Sequence, residues 1–380
     1  LTLGPAGVAT PTPALLSPHR VAFATPRPRY DDPRLEALVQ FHYQALAESA
    51  ARGPDWGNVT GFSHGAGRGG VLGMNRLNHG PPLFAEARLA GEDRLLETAL
   101  LWCDNFFDQS IWWGPGHTGG TRYNNIRANG RVPPEDDATY MWRSNDAVSF
   151  CTKGYDAFHL AYEQNGDPRM LEALEAQLAY ARAHLHANQG ECRNIGDVRD
   201  FMELHERTGD PRHLGEALRL FRELRTRLSA GALFSQSGHP IEPDPPFIEE
   251  DGFGYRHPFA KPYILGYALA GLPALAPHAP EEPRLREVIR AVADFMVSSQ
   301  DPLGGWRYPH PRSSQVLLSQ AMEHAWQLVQ ACELLGPQER YLDAIERVLR
   351  QRILLWLRSG RIAGGLGGWE LAAGRARTSA

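Results

Sequence analysis

The chain has 380 residues, of which 42% are hydrophobic and 22% charged, and its formal net charge is −5. This length and composition are typical of a globular protein that buries a large core. The net negative charge and the lack of a Lys/Arg run argue against nucleic-acid binding, and no apolar stretch reaches the ~20 residues of a membrane span.

The two ends of the chain differ from its middle. Residues 1–30 are Pro-rich and lack the basic and apolar regions of a signal peptide, so they are predicted to be a linker or an extended segment. Residues 361–380 form a Gly/Ala-rich tail. One helical catalytic domain is expected over 31–360.

The four cysteines are far apart and show no metal-ligand spacing. They are interpreted as buried free thiols, which favours a reducing compartment, and the cytoplasm is the expected location. They are Cys103, Cys151, Cys192 and Cys332.

Repeated helical hairpins dominate the middle of the chain. One sequence pattern recurs in "LAGEDRLLETALL", "QNGDPRMLEALEAQL", "RTGDPRHLGEALRLF" and "LLGPQERYLDAIERVL", and more loosely in "APHAPEEPRLREVIRAV". A helix ends at a glycine in a left-handed cap, and an acidic or Pro-containing first turn begins the next helix. The apolar spacing predicts one helix over 33–51 and then five pairs. The first helices of the pairs are expected near 81–90, 146–165, 196–208, 260–272 and 314–335. The second helices are expected near 92–107, 167–186, 211–229, 283–299 and 337–357.

The two helices of each pair differ in character. The first is apolar on more of its surface, and the second is more plainly amphipathic, which indicates an inner ring of helices wrapped by an outer ring. The predicted fold is therefore all-α, an (α/α)6-type toroid of five to six hairpins; an open solenoid of hairpins is the alternative. Long segments should emerge together on one rim, where the inner helices begin. They are 52–80, 108–145, 187–195, 230–259 and 300–313.

Polar and aromatic residues in the first two rim segments are candidate sugar-binding groups. Trp112 and Trp113 can stack on sugar faces, although each can equally be a core residue or a lid. An arginine fork and side-chain amides suit hydroxyls and a carboxylate. The candidates are His64, His79, His117, Arg122, Tyr123, Asn124 and Asn125.

A helix predicted to begin near 146 adds a polar stripe. Asp146, Ser149, Lys153 and Asp156 are spaced to share one face of that helix, and on an inner helix this face would line the central cavity. Helix capping alone can also explain the polar residues at its start. The binding candidates here are Arg143, Asn145 and Lys153, and Asp146 is a catalytic candidate.

The later rim segments contain candidates for proton transfer. Tyr255, His257 and Lys261 surround the predicted start of an inner helix, and each residue type can act as a general acid or base. Arg256 is a candidate for binding a carboxylate, and Arg193, in the third rim segment, is a candidate for substrate binding. A capped helix with ordinary surface charges is the alternative. "DPLGGWRYPHPRSS" is interpreted as a lid turn with an exposed aromatic residue.

The hairpin repeats, together with "WWGPGHTGGTRYNN" and "RSNDAVSFCTKGYDAFHLAYEQNGD", resemble the α/α-toroid domain of the exo-rhamnogalacturonan lyase (YetA-like) family. The likeness covers most of residues 52–358. It implies β-elimination at a uronic acid in a pectin-type backbone. Full-length members of the family also carry β-domains before the toroid, and none is evident in this chain.

The predicted function is therefore that of a polysaccharide lyase acting on an acidic oligo- or polysaccharide. Arg122, Arg143 or Arg256 would neutralise the uronate, and Tyr255, His257 or Lys261 would transfer the proton. One alternative is a toroidal glycoside hydrolase using Asp146 with Glu250 or Asp251; another is a non-catalytic carbohydrate-binding toroid. No cofactor or metal site is predicted, and a Ca²⁺ requirement is left open. No nucleic-acid or membrane partner is expected.

Overall fold

The structure is a computed structural model that describes a subset of the residues in the chain. These residues are 2–3, 9–10, 31–38, 40, 80–91, 93–116, 118–120, 154–188, 192–234, 261–308, 315–317, 321–359, 370–372 and 375–377.

Helices account for most of the described chain, and they form five consecutive pairs. The bounds are α1 (Gly80–Ala90), α2 (Asp93–Asn105), α3 (Tyr155–Asn165), α4 (Pro168–His184), α5 (Asp197–Thr208), α6 (Pro211–Arg225), α7 (Pro262–Leu275), α8 (Leu285–Ser298), α9 (Ala321–Leu335) and α10 (Glu339–Ser359). Residues 33–38 and 40 are also helical, within the helix predicted over 33–51.

The connections within the pairs confirm the predicted pattern of a left-handed glycine cap followed by a new helix start. Gly91, Gly166 and Gly209 have φ between +67° and +69°, the left-handed conformation that glycine adopts without strain. At the start of α6, the Asp210 carboxylate accepts a hydrogen bond of 2.8 Å from the backbone N–H of Arg212. The sequence signals therefore act locally, because each one satisfies backbone groups that a helix end leaves unpaired.

Two predicted helix starts are wrong. The helix expected from 146 begins at Tyr155, and the preceding Gly154 is non-helical, with φ −141° and ψ 25°. Asp146, Ser149 and Lys153 of the predicted stripe lie outside the described residues, and the non-helical Gly154 separates them from α3. The helix expected from 314 begins at Ala321 as α9, since residues 315–317 form a strand.

Short strands accompany the helices. β1 (Thr2–Leu3) pairs with β2 (Ala9–Thr10). A second sheet joins β3 (Trp306–Tyr308), β4 (Gln315–Leu317), β5 (Glu370–Ala372) and β6 (Arg375–Arg377) in that order, all antiparallel. Each of these four strands has only three residues, so the sheet is a minor addition to a helical protein.

The chain divides into two compact units, Leu1–His184 and Leu185–Ala380. In the first unit, α2 and α3 meet through aromatic rings. Phe106, directly after α2, lies with its ring centroid 5.1 Å from that of Trp102 and 5.6 Å from that of Phe158. All three side chains are fully buried.

In the second unit, α7 lies at the centre of the core and contacts α5, α8 and α9. All but one of its residues are buried, which explains why its sequence, "PYILGYALAGLPAL", is apolar on every side. Elsewhere, Cys103, Cys192 and Cys332 are free and buried, as predicted, and Cys151 lies outside the described residues. Among the described helices, none is both long and apolar enough to cross a membrane.

Candidate functional site

The first turn of α7 lies next to two of the site residues predicted from sequence, Arg193 and Lys261. Pro262 occupies the first helical position, where its fixed φ suits a helix and no N–H is needed. Lys261 precedes it in an extended conformation, and its carbonyl accepts hydrogen bonds of 3.0 Å from the N–H groups of Ile264 and Leu265. The backbone around Tyr263 is thereby fixed.

Two cationic side chains meet at Tyr263. Arg193 donates a hydrogen bond of 2.9 Å from Nη2 to the Tyr263 hydroxyl, and its Cζ lies 5.7 Å from the ring centroid. The Nζ of Lys261 lies 4.9 Å from the same centroid. Lys261 is only 6% exposed and Tyr263 only 7% exposed. We refer to Arg193, Lys261 and Tyr263 as the cationic cluster.

The position of Arg193 is set by a short turn before α5. Residues Arg193–Gly196 form a 3₁₀ turn, and the preceding Cys192 has φ +56°. The Asn194 side chain donates a hydrogen bond of 3.2 Å to the carbonyl of His186. The backbone N–H of Ala187 in turn donates to Glu223 of α6, at 2.9 Å. Glu223 of α6 thus anchors the segment that places Arg193 beside Tyr263.

A polar network lies on α5 and α9. On α5, Arg199 Nε donates a hydrogen bond of 2.9 Å to the fully buried Asp200 and lies 3.8 Å from Glu203. On α9, burial raises the pKa of Glu323, and the charge of Arg199 opposes this shift. The charge of Arg199 on α5 therefore acts on carboxylates of both α5 and α9, two of the helices that contact α7.

His324 is held neutral inside this network. Its Nδ1 lies 2.8 Å from Gln327 Oε1, and its ring lies edge-on to Trp306 with the centroids 4.9 Å apart. Burial lowers the pKa of His324 to about 4, and the hydrogen bond to Gln327 opposes this shift. The imidazole therefore acts as a structural hydrogen-bond donor at neutral pH.

Glycines on α7 let the neighbouring helices approach closely. A Cβ on Gly266 would lie 2.3 Å from Gln327 Oε1, and a Cβ on Gly271 would lie 2.3 Å from the backbone nitrogen of Arg199. A Cβ on Gly271 would meet backbone atoms of α5 and displace that helix, whereas a Cβ on Gly266 would meet the side chains of Gln327 and His324 on α9. The two glycines thus bring the Arg199 and Gln327 networks against α7.

The two predicted stacking tryptophans are in the first unit. Trp113 donates a hydrogen bond of 2.9 Å from Nε1 to the carbonyl of Phe107, and the two ring centroids are 4.7 Å apart. The backbone N–H of Trp112 donates to the carbonyl of Gly120 at 2.8 Å. Both tryptophans are half-buried, so each has a structural role, and sugar stacking stays a prediction.

The predicted lid aromatic is not exposed. Trp306 is 2% exposed, and its Nε1 donates a hydrogen bond of 2.8 Å to the carbonyl of Met296. The next residue, Arg307, forms an ion pair with Asp301 at 3.1 Å. Trp306 therefore belongs to strand β3 with its indole buried, and it is not the exposed aromatic residue of a lid.

Of the sequence-predicted site residues, the structure brings together Arg193 and Lys261. The others, apart from Trp112 and Trp113, lie outside the described residues. These are His64, His79, His117, Arg122, Tyr123, Asn124, Asn125, Arg143, Asn145, Asp146, Lys153, Glu250, Asp251, Tyr255, Arg256 and His257.

Tyr263 was missed by the sequence reading. It follows Pro262 in an apolar run and so has the pattern of a core residue. The available signal was the order Lys-Pro-Tyr at a predicted helix start. One of only two lysines in the chain stands there, next to a hydroxyl on the first turn.

At the level of sequence, no protein-family profile and no curated protein matches the chain. At the level of structure, it is similar to a glycosyl hydrolase family 88 protein from Bacteroides vulgatus, with a TM-score of 0.55 and 11% identity over 88% of this chain and 93% of that one. It is also similar to a variant of unsaturated glucuronyl hydrolase from Streptococcus agalactiae, with a TM-score of 0.54 and 12% identity over 87% and 85%. A polysaccharide lyase matches with a TM-score of 0.53 and 11% identity over 89% and 92%.

The fold is all-α and belongs to the α/α-toroid class. This confirms the predicted fold class. At 11–12% identity these likenesses concern the fold alone. The narrower resemblance to exo-rhamnogalacturonan lyases stays a prediction.

Proposed function

We propose that the chain is a carbohydrate-active enzyme that cleaves a uronic-acid-containing oligo- or polysaccharide by β-elimination. Its fold is shared with proteins described as a polysaccharide lyase, a glycosyl hydrolase and an unsaturated glucuronyl hydrolase. The observation that carries the proposal is the cationic cluster, in which Arg193 and the buried Lys261 meet at one tyrosine.

The chemistry of the cluster suits a uronate lyase. Elimination requires the carboxylate to be neutralised, so that the proton on C5 becomes acidic and the enolate-like intermediate is stabilised. A guanidinium presents a planar fork of N–H donors whose geometry suits a carboxylate. Lysine, unlike arginine, can lose its proton and so can serve as a base. We therefore assign the carboxylate to Arg193 and the removal of the C5 proton to Lys261.

Hydrolysis of a uronyl sugar is the second candidate, since two of the similar structures are described as hydrolases. Hydrolysis needs an acid and a base or nucleophile, usually two carboxylates. The pair proposed from sequence, Asp146 with Glu250 or Asp251, lies outside the described residues. A carbohydrate-binding toroid without catalysis is the third candidate.

One screen separates the three candidates. The protein is incubated with a panel of acidic polysaccharides and with their unsaturated oligosaccharides, while ultraviolet absorbance and reducing ends are recorded together. Elimination raises both signals, because each cleavage forms a conjugated double bond. Hydrolysis raises reducing ends with no gain in absorbance, and a binding protein changes neither signal.

A further inference from the structure

Tyr263 is held rigidly beside the side chains of Arg193 and Lys261. It is the second residue of α7, after Pro262, and its ring meets that of Tyr267 edge-on at 5.6 Å between centroids. The helix start fixes its backbone, and the two packed rings fix its side chain. A group that transfers a proton must be positioned in this way before the substrate binds.

The hydroxyl of Tyr263 is arranged to lose a proton. Its oxygen accepts a hydrogen bond from Arg193 Nη2 at 2.9 Å, so the hydroxyl hydrogen points elsewhere. Loss of that hydrogen leaves a phenolate that faces the guanidinium of Arg193 and lies near Lys261, which is an ammonium once it has taken the C5 proton. Two cations close to a forming anion in a buried site stabilise it strongly.

We propose that Tyr263 is the general acid of the elimination and gives its proton to the oxygen that leaves from C4 of the uronic acid. This inference rests on the proposed function. It adds a catalytic residue that the sequence patterns did not single out, and it makes Lys261 and Tyr263 a base and acid pair.

The step balances without any further reactant. The neutral amine of Lys261 removes the C5 proton, and that electron pair forms the double bond between C4 and C5. The bond from C4 to the glycosidic oxygen breaks, and the oxygen takes the Tyr263 proton. The products are a Lys261 ammonium and a Tyr263 phenolate. Transfer of one proton from the first to the second, directly or through water, restores the starting state.

The test uses leaving-group chemistry. Tyr263→Phe removes only the hydroxyl, and we expect kcat on the natural polymer to fall about 10²–10⁴-fold with KM little changed. An analogue with nitrophenolate at C4 has a leaving group that needs no proton. Tyr263→Phe should turn this analogue over at close to the wild-type rate, whereas Lys261→Met should not. Tyr267→Phe removes the same group one turn further along α7 and should retain activity on both substrates.

Each outcome decides the assignment. If wild-type protein eliminates no uronide, the proposed function and this inference fall together. If wild-type protein is active and Tyr263→Phe is equally active on the polymer, only the Tyr263 assignment is overturned. The same holds if the analogue fails to rescue Tyr263→Phe. Should Tyr263→Phe fold poorly, a fluorotyrosine at position 263 replaces it in the test. Because a fluorinated phenol is more acidic, the alkaline limb of the kcat–pH profile should move to lower pH. An alkaline limb at the wild-type pH would overturn the assignment.

Discussion

Arg193 and Tyr263 are 70 positions apart in the sequence, and a hydrogen bond of 2.9 Å joins the Arg193 guanidinium to the Tyr263 hydroxyl. Arg193 belongs to the turn before α5, and Tyr263 belongs to the first turn of α7. The contact therefore links the starts of two helices from different hairpins. It also places a fixed positive charge at a buried phenol.

Replacing Arg193 tests the role of its planar fork. Arg193→Lys keeps the charge but cannot form two parallel hydrogen bonds to a carboxylate. We expect kcat/KM on a uronate polymer to fall about 10–100-fold, in line with the loss of one or two charge-assisted hydrogen bonds. Steady-state kinetics give this value. Arg227→Lys, at an exposed site on the turn after α6, is the matched control and should match wild type. Equal kinetics for both variants would show that Arg193 does not bind the substrate.

Replacing Lys261 separates the need for a base from the need for a charge. Lys261→Met, which keeps the length of the side chain, should abolish the rise in absorbance while the helical circular dichroism is retained. Lys261→Arg restores the charge but cannot be deprotonated, so it should be inactive as well. Recovery of activity in Lys261→Arg would assign an electrostatic role to Lys261 and would remove it as the base.

The buried imidazole of His324 predicts a pH dependence of stability. Its pKa of about 4 in the folded protein is below the 6.5 of an unperturbed histidine. Between these values the unfolded chain binds a proton that the folded chain does not. The contribution of His324 to stability is therefore complete above pH 6.5, and it is lost as the pH falls towards 4, by up to roughly 3 kcal/mol.

Urea unfolding at several pH values measures this contribution. His324→Asn keeps a side-chain N–H donor and removes the titration, so its unfolding free energy should fall less steeply than that of wild type between pH 6.5 and 4. His278→Asn, at an exposed position, is the control and should follow wild type. Parallel curves for His324→Asn and wild type would contradict the assignment of this titration to His324.

Two glycine substitutions should have opposite effects on stability. A Cβ at Gly271 would lie 2.3 Å from the backbone nitrogen of Arg199 and 2.7 Å from the backbone carbonyl carbon of Val198. Since neither backbone atom can move cheaply, Gly271→Ala should destabilise the fold by about 1–3 kcal/mol. Gly215 lies within α6 and has no atom within 4 Å of its Cβ position. Gly215→Ala should therefore stabilise the fold by about 0.5–1 kcal/mol.

Thermal and urea unfolding of the two variants provide the comparison. A gain in stability for Gly271→Ala would contradict the close approach of α5 to α7. If Gly215→Ala had the same unfolding free energy as wild type, the expected gain in helix propensity of α6 would be contradicted. The contact between α5 and α7 would not be affected by that result.

The hairpins were predictable from sequence because their signals are local. A glycine cap such as Gly209 and a first turn such as Asp210-Pro211 determine a helix end and the next helix start, whatever the rest of the fold does. The start of α3 was placed too early because polar residues before Gly154 also have helix-capping character. Sequence patterns locate existing helices better than they locate the ends of those helices.

The candidate site was only partly predictable. Lys261 and Arg193 stood out because charged residues at helix starts are candidates for function. Tyr263 did not stand out, because its partner lies 70 residues away and its neighbours are apolar. The prediction for Trp306 was wrong for the opposite reason. The polar and glycine-rich residues around it suggested an exposed side chain, whereas its indole is buried against Met296 and His324. The surroundings of both side chains are determined by contacts with residues distant in the sequence, and local residue spacing does not predict such contacts.

The most direct test of the account is the ultraviolet absorbance of the protein incubated with uronic-acid polysaccharides, with reducing ends counted in the same samples. The account predicts that absorbance and reducing ends rise together for at least one polymer. It also predicts that both signals are lost in Tyr263→Phe and Lys261→Met. New reducing ends without new absorbance, unaffected by either substitution, would contradict it.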